Sequence, residues 1–444
     1  MKHSNDQFDK NMSGRAARAA RRRAEQRGMR LTAALCAVLS VALVCMLAVL
    51  FNGGGNSPAP DNTAIQAAAT PVETASVSAA TAAVTQEAST AAPTPLPTPL
   101  DGGLVAPTQS VEPADAGRQT GGEVPVLETE EELTRTTILI SAAGDCTLGG
   151  DVNSSSGGRF SQYADEYGLD YFFENVRDIF AADDFTVVNL EGPLTTQTSK
   201  RSGRQFNFRG DPEYVKILSG SSVEVCSLAN NHALDFKNAG LSDTAANLES
   251  VGVGAAGYDN AWYGEKDGMR VCFLSFTEWD YSADAIAERV RQEKENSDLV
   301  IVSVHWGEEL RNRATSTQER YGHAIIDAGA DLVLGHHPHV LGGIEQYKGK
   351  YIVYSLANFC FGGNSNPNDK DTMIFQQTFV VDGAGNVSDG GINIIPCSIS
   401  SVSSTNNYQP TPLTGDAAAA VIDKVSSYSS VEEILWMDSY TGRR

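Results

Sequence analysis

Three histidines, His336, His337 and His339, fall within four positions around Pro338. Imidazole is a frequent metal ligand, and the rings of His337 and His339 could meet at one point if the backbone between them is extended, as Pro338 favours for its predecessor. The plainer reading is a His-rich turn facing solvent. Other residues of ligand chemistry weigh against it: Asp145 after Gly144, Glu191 after Leu190, Asn231 beside His232, and His305. Taken singly, each has an ordinary explanation: a turn cap for Asp145, an ion-paired end for Glu191, a left-handed turn for Asn231, a core histidine for His305. Taken together, carboxylate, amide and imidazole suit Mn²⁺, Fe²⁺, Zn²⁺ or Mg²⁺, one or two ions, rather than a thiolate-bound metal.

Every one of these positions ends a short apolar run. The predicted strands are Thr137 to Ala143, Phe185 to Leu190, Val223 to Leu228, Leu299 to Val304 and Leu332 to Leu334. Helices are predicted at Tyr171 to Ala181, from the Asp211-Pro212 start, at Asn238 to Ser250, at Ala283 to Glu295, and from the capping box Ser316-Thr317-Gln318-Glu319. Further strands are expected at Val253 to Ala256 and Arg270 to Phe276. Such alternation implies βαβ units and an α/β fold. In a parallel sheet the strand ends share one edge, which would bring together residues about 190 positions apart. Later strands, at Lys350 to Ser355, Met373 to Val381 and Ile392 to Pro396, are expected to run antiparallel, with one or two helices between Asp416 and Met437.

The chain has 444 residues, 41% of them hydrophobic, and a formal charge of −22. A sizeable core is affordable, and the acidity argues against a nucleic-acid partner. Residues 1–30 are the exception, with nine basic and three acidic side chains. The 21 residues from Leu31 to Phe51 that follow carry no charge, enough as a helix to cross a bilayer. No small-residue cleavage site stands close behind, so the expectation is an uncleaved single-pass anchor, N-terminus cytoplasmic and the rest extracytoplasmic. Residues 52–135, rich in Ala, Thr and Pro, read as a disordered linker, 136–400 as the folded domain and 401–444 as a helical extension. Five cysteines lie beyond the anchor without close pairing, so buried thiols are expected rather than a disulfide framework.

Gly144-Asp145, Asn189-Leu190-Glu191-Gly192-Pro193-Leu194, Ala229-Asn230-Asn231-His232-Ala233-Leu234-Asp235, His305-Trp306-Gly307-Glu308, Gly335-His336-His337-Pro338-His339 and Tyr354-Ser355-Leu356-Ala357-Asn358-Phe359 occur in that order. In these motifs the chain resembles the CapA family of bacterial capsule, or poly-γ-glutamate, biosynthesis proteins, over about residues 137–400. That family is similar to the calcineurin-like metallophosphoesterases, which implies a β-sandwich flanked by helices. The resemblance implies that Asp145, Glu191, Asn231, His305, His337 and His339 are metal ligands and that His232 assists the leaving group. Asp235, three residues on, could orient the His232 imidazole. Arg209 could meet an anionic substrate or form a surface ion pair. The chain departs from the pattern in three places: Thr147 stands where metallophosphoesterases have a ligand histidine, Asn189 and Glu191 stand in for their Gly-Asp-x-x-Asp motif, and Ala357 stands where a glycine is expected before Asn358.

The function these readings imply is a membrane-anchored extracytoplasmic protein that makes, exports or anchors an anionic surface polymer through a metal-dependent, hydrolase-like site. The alternatives are a non-catalytic metal- or polymer-binding subunit of a membrane synthase, and a secreted phosphoesterase acting on small phosphoesters.

Overall fold

A computed structural model describes residues 136–154, 158–383 and 385–431. The basic segment, the predicted anchor, the linker and the end of the C-terminal extension lie outside the described residues. In chain order the first elements are β1 (Thr136–Thr147), β2 (Gly150–Asp151), α1 (Arg159–Tyr167), α2 (Arg177–Phe180), β3 (Phe185–Leu190), β4 (Phe208–Arg209), α3 (Val215–Ser219), β5 (Val225–Ser227), α4 (Lys237–Ser250) and β6 (Gly254–Ala256). There follow β7 (Trp262–Lys266), β8 (Met269–Thr277), α5 (Ala283–Lys294), β9 (Leu299–His305), α6 (Ser316–Asp327), β10 (Leu332–His336), β11 (Ile344–Tyr347) and β12 (Lys350–Val353). The last are β13 (Asn358–Phe361), β14 (Asp371–Val381), β15 (Val387–Ser398), β16 (Thr411–Pro412) and α7 (Gly415–Tyr428).

Apart from the short pair β2-β4, the described strands form two mixed sheets rather than one. The first runs β16-β15-β14-β1-β3-β5-β6, with β13 pairing onto the end of β1; the second runs β11-β12-β10-β9-β8-β7. Alternate side chains decide how they stack. Ile138 and Ile140 of β1, Val187 of β3, Val225 of β5 and Phe375 of β14 share one buried cluster with Val271 and Phe273 of β8, Ile301 of β9 and Leu334 of β10. The two sheets therefore pack face to face as a sandwich. On the outer face of the first sheet, Val188, Cys226 and Ile374 meet Phe172, Phe180, Leu218 and Leu248. On the outer face of the second, Val300, Val302 and Val333 meet Ile286 and Val290 of α5 and Ile325 of α6. The result is a β-sandwich flanked by helices.

This arrangement changes how the strand ends converge. β1, β3 and β5 run parallel in the first sheet, and β8, β9 and β10 run parallel in the second. The predicted ligands come from both sets, across the end of the sandwich, and not from one sheet edge. Pairing in register places Asp145 between Asn189 and Asn358, and His305 between Thr277 and His336.

Several local expectations need correcting. The stretch Tyr171 to Ala181 holds a 3₁₀ turn ending at Tyr171 and only the short α2, while α1 lies in a segment with no predicted element. The capping box of α6 begins one residue earlier, with Thr315 as cap and Gln318 as its reciprocal partner. β12 is antiparallel to β11 but parallel to β10. Beyond residue 400 the chain stays on the same body: Tyr408 is buried in the outer core, β16 pairs with β15, and Val421 and Val425 of α7 close one side of the inner core. Cys146, Cys226, Cys272, Cys360 and Cys397 are buried and unpaired.

Candidate metal centre

Each candidate ligand sits where a strand gives way to a loop, and two of those loops use unusual backbone. Gly144 lets β1 pass so close to the neighbouring chain that a Cβ there would lie 2.0 Å from the Ala357 carbonyl oxygen. The Asp145 N–H donates to that same oxygen at 2.8 Å. Ala357 itself has φ 63°, so the position where a glycine was expected does adopt a glycine-like conformation. His337 and His339 have φ of 97° and 58°. The backbone between them is not extended, as the sequence suggested, but bent through the left-handed region. Strain of about 1–3 kcal/mol per residue of this kind persists only where the surroundings enforce it.

The side chains converge on two fully buried carboxylates. Asp145 Oδ1 accepts from Asn189 Nδ2 at 2.8 Å. It lies 3.3 Å from His336 Nδ1, while Oδ2 lies 3.1 Å from His339 Nδ1. Glu191 Oε1 is ringed by three imidazole nitrogens: His305 Nε2 and His339 Nε2 at 3.8 Å each, and His232 Nε2 at 4.0 Å. These separations are too long for hydrogen bonds, yet two ligands each about 2.1 Å from a shared ion lie no more than about 4 Å apart. Asn231 Oδ1 stands 3.0 Å from His305 Nε2.

Unsatisfied atoms give the same indication. Both oxygens of Glu191, Nε2 of His336 and Nδ1 of His337 are buried without a hydrogen bond, while Nδ1 of His336 and of His339 face only the Asp145 carboxylate. Leaving so many polar atoms unpaired is costly unless something else satisfies them. Two groups have ligand atoms close enough to hold a cation: Asp145, Glu191 and His339, mostly buried, and Glu309, His337 and His339, opening outward through the exposed Glu309. His339 is common to both.

Ionisation fits a site built for positive charge. Burial opposes ionisation of Asp145, but His336 and His339 outweigh it and hold its carboxyl well below the usual range. Burial pushes Glu191 up to about 7. It keeps His305 well below the ordinary imidazole value, with His337 adding to the effect, and lowers His337 to about 4. At His339 burial pulls down, yet Glu191 and Asp145 raise it to about 9. A proton on His339 thus supplies the charge that a cation would bring, while His305 and His337 stay neutral, the form that ligates.

His232 and Asp235 form the second part of the site. His232 Nδ1 lies 2.7 Å from Asp235 Oδ2, which also accepts the Phe208 N–H at 2.7 Å. This fixes the ring with Nε2 toward Glu191, and Phe208 packs against it with centroids 4.2 Å apart. The structure therefore brings together Asp145, Glu191, Asn231, His232, Asp235, His305, His337 and His339.

Arg209 is placed elsewhere. Its guanidinium donates to the Gln197 carbonyl at 2.8 Å, lies over the Phe236 ring, and lines a cavity that contains none of these histidines. It packs against its own loop because β4 pairs with β2 and turns it away. Residues given no role from sequence are His336, Glu309 and the amides Asn230 and Asn358, which hold other members of the site. Asn230 Nδ2 donates to Asn189 Oδ1 at 3.2 Å, and Asn358 Nδ2 to the His339 carbonyl at 3.2 Å. The pair Glu308-Glu309, directly after the His305 strand, was the available signal for Glu309. Thr147, at the departure from the metallophosphoesterase pattern, is buried with Oγ1 unpartnered.

Residues 139–363 match the family described as bacterial capsule synthesis protein PGA_cap. The PGA biosynthesis protein CapA of Bacillus subtilis (strain 168) is 32% identical over 262 residues, 53% of this chain and 66% of that protein. The capsule biosynthesis protein CapA of Bacillus anthracis is 32% identical over 273 residues, 55% of this chain and 64% of that one. The match thus spans just under two thirds of each relative. Among solved structures, the NAD nucleotidase NadN of Haemophilus influenzae is similar with a TM-score of 0.34 and 11% identity, over 69% of this chain and 65% of that one. With half of its length matched in one continuous stretch that carries every convergent candidate ligand, the chain belongs to the PGA_cap family of bacterial capsule synthesis proteins.

Proposed function

We propose that this protein takes part in making, exporting or anchoring a poly-γ-glutamate-type surface polymer, as a metal-dependent hydrolase-like domain held outside the cell by the Leu31 to Phe51 segment. The supporting observation is the Glu191 carboxylate, fully buried, unpartnered at both oxygens and ringed by three imidazole nitrogens at 3.8–4.0 Å. Asp145, Glu191, Asn231, His305, His337 and His339, with Glu309 at the outer edge, would hold one or two divalent ions. Such ions, when bound, polarise an acyl or phosphoryl oxygen and lower the pKa of water.

The remaining steps belong to the chain's own groups. Asp235 holds His232 in one tautomer, with Nδ1–H directed at Oδ2 and Nε2 toward the site. As water adds to the acyl or phosphoryl centre and loses a proton to solvent, the bond to the leaving oxygen or nitrogen breaks and His232, as imidazolium, passes its Nε2 proton to the departing atom and is recharged from solvent. The resemblance to metallophosphoesterases supports the phosphoryl version; the polymer named in the relatives' descriptions supports the acyl one.

The test is elemental analysis of the purified full-length protein beside His337→Ala/His339→Ala, followed by turnover of a chromogenic phosphodiester and of a γ-glutamyl anilide. About one or two bound ions, lost in the double variant, together with turnover lost in His232→Ala at unchanged metal content, are expected. No metal in folded protein incubated with Mn²⁺ or Zn²⁺ would overturn the metal site. Metal without turnover of either compound would leave a binding subunit of the synthase.

A further inference from the structure

A cavity of about 430 Å³ opens beside the metal centre, with Asn231 and His337 in its lining. That volume is in the usual range for a ligand site. Arg201 and Arg204, both exposed, line the same cavity. The turn at Ser202-Gly203, where Gly203 takes φ 71°, folds the chain so that both side chains reach the same cavity. The loop is tied to the site: the Arg201 N–H donates to the Asp235 carbonyl at 2.7 Å, and Arg204 donates to the Asn231 carbonyl at 2.9 Å. Neither guanidinium has an ion-pair partner among the described residues.

Two unpaired guanidiniums at the mouth of a site are notable in a chain of charge −22. Like charge repels a polyanion from most of such a surface, so binding depends on the few places where cations stand free. Guanidinium presents five donors, and the one Arg204 uses leaves others for a ligand. The rest of the lining has a different character. Trp279 is half exposed and stands edge-on to His337 with centroids 4.9 Å apart, an apolar wall for methylene groups. Asp280, whose Oδ2 accepts from Thr277 Oγ1 at 2.8 Å, offers a carboxylate that suits an amide N–H and not an anion. Donors for an oxyanion, an acceptor for an amide and an apolar wall match a chain that bears a free carboxylate on each amide-linked unit.

We infer that Arg201 and Arg204 form a carboxylate-binding subsite that holds one unit of a polycarboxylate chain so that a neighbouring linkage lies at the metal centre. This rests on the functional reading above for the identity of the polymer, but not for the existence of the subsite. It assigns to these two arginines the anion recognition that Arg209 does not provide.

Calorimetric titration of the full-length protein with penta-γ-glutamate is the test, with penta-γ-glutamine and inorganic phosphate as comparison ligands. The parent is expected to bind the acidic oligomer, more weakly at higher salt, and the amidated oligomer at least about ten-fold less tightly. Arg201→Gln/Arg204→Gln is expected to weaken the acidic oligomer about ten-fold or more while its metal content stays at the parental value. The single variants Arg201→Gln and Arg204→Gln should fall between, which keeps the result readable if the double variant folds poorly. Equal affinity in parent and variants, no binding of the acidic oligomer by the parent, or retention of phosphate in preference to the oligomer would each overturn the subsite. Oligomer binding that depends on the arginines in a protein that takes up no metal would leave the subsite standing and remove the metal-site reading. Metal uptake with arginine-independent oligomer binding would do the reverse.

Discussion

Glu191 is the residue on which the site turns, and its burial makes a two-sided prediction. Without a cation its carboxyl is pushed up to about 7 by burial, so above that pH the folded metal-free protein carries a desolvated charge. Glu191→Gln keeps the shape and removes the charge. At pH 8 the metal-free variant is expected to melt at or above the metal-free parent, while the rise in Tm that divalent metal gives the parent disappears. A variant that retains the metal-dependent rise would show that Glu191 is not a ligand. The residues of this site were legible in the sequence to the extent that each ends an apolar run: Asp145, Glu191, Asn231, His232, His305, His337 and His339 all converge. His336 was visible in the histidine cluster but had no assigned role, because only the fold shows its Nδ1 turned to Asp145 at 3.3 Å. Arg201 and Arg204 lie in a loop of 16 residues between Glu191 and Phe208 with no periodicity to place it. A basic cluster, Lys200, Arg201 and Arg204, in an otherwise acidic domain was the only hint.

At the scale of elements, the strands were legible and their partners were not. β9 is buried along its whole length, so its apolar run is the same whichever sheet it joins, and assignment to one sheet or two depends on pairings far apart in sequence. Helix ends are more local, and α6 offers a direct measure. The Thr315 side chain accepts from the Gln318 N–H at 3.1 Å, and Gln318 Oε1 accepts from the Thr315 N–H at 2.9 Å. Thr315→Ala removes the first of these bonds, and a cost of about 1 kcal/mol is expected from the urea midpoint at unchanged slope. An unchanged midpoint would mean that α6 is held only by Tyr321 and Ile325 packing behind β9 and β10. Gly144 is the stricter position. Its Cβ would meet both the Ala357 and Leu356 carbonyls, at 2.0 and 2.7 Å. Gly144→Ala is therefore expected to cost about 3 kcal/mol or more, by overpacking, and to lower metal affinity, since Asp145 follows directly. Normal metal uptake in that variant would show that β1 can shift without moving its carboxylate.

Across the whole molecule, the parallel strands have the candidate metal site at one end and a second set of carboxyls at the other. Asp183 precedes β3 and Glu224 precedes β5, and burial pushes both up to about 7. Asp183 Oδ2 accepts from Thr186 Oγ1 at 2.6 Å, and its Oδ1 is buried without a partner. Because both values are raised in the folded state, folding takes up protons once the unfolded carboxyls have ionised. The stabilisation is complete below about pH 4 and is lost as pH rises through about 7. In the metal-free protein Glu191, raised to about 7, and His339, raised to about 9, act in the same direction. Asp145 opposes them in strong acid, where its depressed pKa makes protonation destabilising, and His305 and His337, both lowered by burial, oppose them in part below the ordinary imidazole value of 6.5. Metal affinity has the opposite sign, because ligands must lose protons to bind. The Tm of metal-free protein is thus expected to fall between pH 5 and about pH 8, and divalent metal to flatten that fall without abolishing it. Asp183→Asn, which can still accept from Thr186 through Oδ1, is expected to remove part of the remaining slope at parental metal content. If the slope in Asp183→Asn matches that of the parent in the presence of metal, Asp183 does not contribute to the pH dependence, and Glu224 and the site end of the sandwich account for all of it.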